Sequence, residues 1–207
     1  QEDWLRERQA GKRWAWTVIR PPAVCTDAVG TPLNLTMTIG VFAAISRELG
    51  IPLRFPGGEP AIYEVCDANI VAKSVAWAAT SERARNEIFN VANGDHFQWP
   101  YIWPLFAELF DMPHAPPHTI SLGQVMLDKQ PVWERIVQKY GLAANDYKLL
   151  VPSWDFADFA FRYGRPSNPT LMSTIKIRQA GFHDCVDTER MFTDQIRALQ
   201  ARKVLPR

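Results

Sequence analysis

The side chains best suited to chemistry are scattered through this sequence, and their spacing argues against most reactions. His114 and His118 stand four apart, the interval that aims two imidazoles at one metal from a helix. The intervening Ala115-Pro116-Pro117 forbids that helix. His96 and His183 have no cysteine or carboxylate partner at ligand spacing. Asp155 and Asp158 share a helix face, as a general acid and base would, but a pair of solvated carboxylates is the commoner meaning of that pattern. Ser153 lacks the G-x-S-x-G elbow of a hydrolase nucleophile. The three cysteines, Cys25, Cys66 and Cys185, form no C-x-x-C pair and read as buried thiols of a reducing compartment rather than a disulfide frame. Neither phosphate-cradling motif, G-x-G-x-x-G after a strand or G-x-x-x-x-G-K-[ST], is present.

Apolar patterning shows which elements hold these residues. Residues 2–12 read as a short charged helix with Trp4 and Leu5 on its buried side. Residues 14–20 (WAWTVIR) read as a strand that Pro21-Pro22 must end, because proline cannot donate to a ladder. A loop follows over 23–33, then an apolar helix over 34–49 closed by Gly50. Gly57-Gly58, between prolines, reads as a turn. A short strand over 63–66 leads to Asp67, placed to cap a helix over 68–79, and residues 88–91 (IFNV) make a third strand. Helices are expected at 100–110 and at 122–140, the latter interrupted by Pro131, with two more near 171–180 and 187–202. Trp77, Trp99, Trp103 and Trp133 read as core packing rather than a stacking platform.

Strands alternating with helices indicate an α/β fold with parallel crossovers. Three strands are few for a parallel sheet, which buries both faces. The pattern therefore predicts one edge of a larger sheet, an exposed edge prone to association, and a mainly helical subdomain. Composition is that of an ordinary globular chain: 207 residues, 47% hydrophobic, with 23 Lys+Arg against 22 Asp+Glu. The near-neutral charge offers no field for nucleic acid or an anionic membrane. No signal peptide or spanning segment is apparent, so a cytoplasmic protein is expected.

The order of segments resembles the second half of extended short-chain dehydrogenases/reductases. The features are a strand ending in Arg20-Pro21-Pro22-Ala23-Val24-Cys25, a loop, and a helix from Asn34. Tyr63-Glu64-Val65-Cys66-Asp67-Ala68 and Ser173-x-x-Lys176 through Gly181-Phe182 agree. Within that superfamily the chain is similar to progesterone 5β-reductase/iridoid synthase-like enone reductases. Pro52-Leu53-x-Phe55-Pro56-Gly57, Asn86-Glu87-x-Phe89-Asn90, Asn93-Gly94-Asp95-x-Phe97-x-Trp99, Val132-Trp133-Glu134 and Trp154-x-Phe156-Ala157-Asp158 carry the likeness.

The resemblance implies the C-terminal part of a Rossmann-type parallel-sheet domain with a mainly helical substrate-binding subdomain. Residues 1–100 would be the remainder of the NAD(P)-binding domain, 101–165 the helical subdomain and 166–207 a closing helical segment. It implies an NADPH-dependent reduction of the C=C bond of a lipophilic enone. The Gly-rich turn and the catalytic Tyr and Lys would lie ahead of Gln1, so the stretch alone would be inactive. Pro22, Val24, Thr31 and Leu33 would hold the cofactor, and Trp154, Phe156 and Phe159 the substrate. Thr26 stands where the family usually has glycine, which predicts strain in that loop. A homodimer is allowed. The competing readings are an NAD-dependent sugar-nucleotide epimerase or dehydratase, and a non-catalytic cofactor-sensing or interaction protein.

Overall fold

The computed structural model describes residues 1–143, 146–166, 168–169 and 171–207. A short helix α1 (Glu2–Gln9) precedes strand β1 (Thr17–Arg20), whose β-branched Thr17, Val18 and Ile19 suit a pleated surface. Pro21-Pro22 ends that ladder as expected, but the chain is extended again at once. Ala23–Cys25 is a second strand, β2, not the start of a loop. β1 pairs in parallel with β4 (Glu87–Asn90), Thr17 opposite Glu87, while β2 pairs in parallel with β3 (Val65–Asp67), Ala23 opposite Val65. The proline pair thus carries the chain from one two-stranded sheet into another. β2 escaped the sequence pattern because three residues behind two prolines show no periodicity.

Helix α2 (Leu35–Glu48) begins at Asn34, whose side chain accepts the Met37 amide, and ends before Gly50 at φ +69. Helix α3 (Ala68–Thr80) is capped by Asp67, which accepts the Asn69 amide at 2.8 Å. Helix α4 (Trp99–Leu109) carries Pro100 in its first turn. The helix expected over 122–140 is two helices, α5 (Leu122–Val125) and α6 (Gln130–Tyr140). Pro131 starts the second, where a missing N–H costs nothing, instead of breaking one continuous helix. Helices α7 (Tyr147–Leu150), α8 (Trp154–Ala160), α9 (Ile175–Gln179) and α10 (Thr188–Ala201) complete the described residues.

Two apolar clusters hold these elements. The larger gathers α2, α4, α6, α8 and α10 around Trp103, Trp133, Phe106 and Phe192, all fully buried. Each such ring contributes on the order of 2–3 kcal/mol of burial. The smaller joins Cys66, Ile70, Phe89, Val91, Ile177 and Phe182. β3 serves both, since successive side chains of a strand face opposite ways: Val65 enters the larger cluster and Cys66 the smaller.

Asn93 braces this junction. Its carboxamide oxygen accepts the Asp67 amide at 2.7 Å, and its nitrogen donates to the Thr188 hydroxyl at 3.1 Å. Asp95 in turn accepts the Thr188 amide and hydroxyl.

Three expectations fail at the surface and in the thiols. Trp4 is 57% exposed beneath the Arg8 guanidinium and α1 buries no residue, Leu5 being only half-buried, so the expected buried side is not formed. Trp14 is exposed and lies outside the strand, while Trp16 is buried and passes its carbonyl to the Asn86 amide. Cys25 and Cys66 are buried thiols, but Cys185 is exposed.

Candidate functional site

A groove of about 410 Å³ opens where the first sheet gives way to the second. Its floor is Pro22 and Ala23, at the proline switch, with Tyr63 and Glu64 leading into β3. Its wall is Phe156 and Phe159 of α8, followed by Arg162 and Arg165, with Met172 closing the far side. Helix α8 starts at Ser153, whose hydroxyl accepts the Phe156 amide. The helix therefore presents one face to the larger core through Trp154, Ala157 and Ala160, and the other to the groove.

The sequence-predicted substrate residues divide accordingly. Phe156 and Phe159 line the groove, the latter 55% exposed beneath the Arg165 guanidinium, 4.7 Å from its ring centre. Trp154 does not line it. It is buried in the core beside Tyr147, ring centres 6.1 Å apart, because helical periodicity turns positions 154 and 156 to different faces.

Of the four cofactor candidates, only Pro22 borders the groove. Val24 is fixed within β2 opposite Cys66. Thr31 and Leu33 lie on the loop before α2. Asn34 ties that loop shut, its side-chain nitrogen donating to the Thr26 and Ala28 carbonyls at 2.9 and 3.2 Å. Thr26 is relaxed, and its hydroxyl accepts the Ala28 amide. Left-handed backbone falls instead on Gly30 (φ +77) and Leu33 (φ +59). A leucine in that region costs about 1–2 kcal/mol, and Leu33 is also 55% exposed.

Sequence reasoning missed Glu64 and Tyr63 as groove residues, reading them only as strand. Glu64 is a buried carboxylate whose oxygens accept the Met172 amide at 2.5 Å and lie 3.7 Å from the His96 ring. Burial raises its pKa above the ordinary value, against the opposing pull of the Met172 amide and His96. Burial also holds the Tyr63 phenol up at about 12, so it stays protonated near neutrality. The signal for Glu64 was a lone acid between aromatic and β-branched neighbours, which marks a buried charge needing a partner.

Other candidates resolve into structure. Asp158 is not solvated: it accepts the Ser121 hydroxyl and the Leu122 and Gly123 amides at the start of α5. His114 bridges to Leu53, and the His118 amide donates to the Phe55 carbonyl, so the two histidines sit on extended chain. Among the described residues no group of three His, Cys, Asp or Glu side chains could hold a metal ion. Burial pushes both the Cys25 and Cys66 thiols far above the range of a reactive thiolate. Lys176 pairs with Glu87 at the surface. No helix among the described residues is long and apolar enough to cross a membrane.

No family model matches the chain. Whole-sequence comparison finds (S)-8-oxocitronellyl enol synthase of Nepeta cataria, 34% identical over 100% of this chain and 54% of the relative. A short chain dehydrogenase of Penicillium aethiopicum is 31% identical over 100% of this chain and 59% of its own length. The chain thus spans little more than half the length of these relatives. Among solved structures, UDP-glucose 4-epimerase of Thermotoga maritima superposes with a TM-score of 0.56 at 12% identity, covering 97% of this chain and 50% of that one. The Bordetella bronchiseptica enzyme WbmF, in complex with NAD+ and UDP, gives 0.56 at 15% identity, covering 97% and 49%. The parallel strand pairs and their covering helices are accordingly part of a Rossmann-type α/β fold.

Proposed function

Over its whole length this chain is a homologue of iridoid synthase-like short-chain dehydrogenases/reductases, and from that premise we propose that the parent enzyme is an NADPH-dependent reductase of the C=C bond of lipophilic α,β-unsaturated carbonyl compounds. The observation that carries this reading is the composition of the groove. Phe156, Phe159, Pro22 and Met172 give most of its lining an apolar character, which suits a hydrophobic substrate body. It forms where the part read as cofactor-facing, residues 1–100, meets the helical part, 101–165.

In this reading the chain's own residues would hold the nicotinamide. Leu33 holds an apolar side chain in solvent on a left-handed backbone, an arrangement that makes sense if it packs beneath a flat ring. In this reading Val24 offers backbone groups and Thr31 a hydroxyl to the carboxamide. The cofactor, when bound, supplies the hydride. Phe156 and Phe159 exclude water and orient the enone.

A second reading has one observation in its favour. Arg162 and Arg165 bring two guanidinium groups to the same groove, chemistry that suits a nucleotide diphosphate. The test is turnover by the protein expressed with its natural flanking sequence, given NADPH with a conjugated enone, or NAD+ with UDP-glucose. NADPH oxidation matched by a product saturated at its C=C bond is the expected result. Turnover of the UDP-sugar alone would sink the reductase in favour of the epimerase.

A further inference from the structure

A second cavity, sharing no lining residue with the groove, lies between the C-terminal half of α2 and the end of α5. It holds about 160 Å³. Its floor is Phe42 and Ile45 of α2 with Met126, all buried, and Ile120 beside them; Ile51 and Val125 form exposed lips. A dry cavity of roughly 150 Å³ accepts a molecule the size of benzene, so this one takes an apolar tail of about six to eight carbons.

The two charged side chains of its lining, Arg54 and Lys129, are of one sign. Arg54, His118 and Lys129 stand at the rim, and among the described residues no carboxylate lines the cavity. Arg54 donates to the Pro116 carbonyl at 2.9 Å, which holds its guanidinium at the mouth. The Lys129 side chain is 25% exposed and its ammonium contacts the carboxylate of Asp128, itself 78% exposed and outside the lining. An apolar interior beneath basic groups, with a solvent-facing aspartate as the only neutralising partner of Lys129 among the described residues, is complementary to an anionic amphipath. A neutral hydrocarbon would leave the rim unused, and a cationic one would meet Arg54 and Lys129.

We propose that this cavity binds a free, medium-chain carboxylate, its tail between α2 and α5 and its head at Arg54 and Lys129. The inference is independent of the reaction assigned to the groove. Both walls do reach toward that site: α2 begins at the Asn34-tied loop, and α5 is anchored by Asp158 of α8.

The test is calorimetric titration of the purified protein with octanoate, octan-1-ol and octylamine. Octanoate is expected to saturate one site and to bind about tenfold tighter than the alcohol, with the amine weakest. Lys129→Met should weaken octanoate several-fold and leave the alcohol unchanged. Asp128→Asn should tighten octanoate. Val125→Trp, at an exposed lip, should block all three, and Ile51→Trp serves if the first variant lowers the melting temperature. Equal binding of acid and alcohol, octanoate binding untouched by both the tryptophan and Lys129 variants, or no saturable binding would overturn the proposal. So would sedimentation with phosphatidylglycerol vesicles without binding of monomeric octanoate.

Discussion

The Ser121 hydroxyl donates to the Asp158 carboxylate at 2.5 Å, and the same carboxylate accepts the Leu122 and Gly123 amides at 2.6 and 3.2 Å. One side chain of α8 therefore satisfies the opening turn of α5, which is only four residues long and cannot hold itself. Asp158→Ala is expected to cost about 2 kcal/mol, since hydrogen bonds to a charged group are the stronger kind. The urea midpoint should fall, and proteolysis should begin near residues 121–126. An unchanged midpoint would mean that water replaces the carboxylate freely.

Glu64 makes stability depend on pH in a direction opposite to most carboxylates. Its folded pKa lies above its ordinary value of 4.5, so the native state binds the proton more tightly than the unfolded chain does. Its contribution is fully present below the ordinary value and is lost as pH rises through the higher, folded one. Glu64→Gln keeps an acceptor for the Met172 amide and removes the titration. Urea midpoints measured across the acid range up to neutrality should show that this variant lacks part of the wild-type decline. Parallel curves for the two proteins would show that the buried carboxyl is relieved by other means.

Trp154 and Phe159 should separate under mutation although they are five residues apart on one short helix. Trp154→Ala empties a core position and should cost about 3–5 kcal/mol, enough to appear as a lower melting temperature before any assay. Phe159→Ala removes a groove-facing, half-exposed ring and should cost under about 1 kcal/mol of stability. For a lipophilic enone it should raise KM several-fold with little change in kcat. The reverse pattern would exchange their roles.

Leu33 offers a test of the cofactor loop that stability alone cannot give. Asparagine tolerates the left-handed region better than leucine, so Leu33→Asn should leave the melting temperature unchanged or slightly raised. NADPH binding, followed by its fluorescence in the protein with its natural flanking sequence, should weaken several-fold. A destabilised variant that binds NADPH normally would make Leu33 a packing residue.

Much of this architecture was legible because it rests on local rules. Asn34 and Asp67 cap their helices through the side-chain oxygens that mark such positions, Gly50 closes α2, and Pro21-Pro22 ends β1. β2 was not legible, since its pairing with β3 depends on a partner some forty residues away. The site was legible only in part for the same reason. Trp154, Phe156 and Phe159 were candidates through the family resemblance, but whether position 154 or 156 faces the groove depends on which side of α8 meets the core. Asp158 looked like a solvated acid because the helix it caps is remote in sequence.

β3 has a consequence for how the molecule comes apart. Val65 and Cys66 are adjacent, yet they are rooted in different apolar clusters, and Asn93 and Thr188 clamp the residue that follows. Neither cluster can loosen without withdrawing its half of that strand. The two should therefore melt in a single concerted transition, and the amide protons of residues 65–67 should be among the last to exchange with solvent.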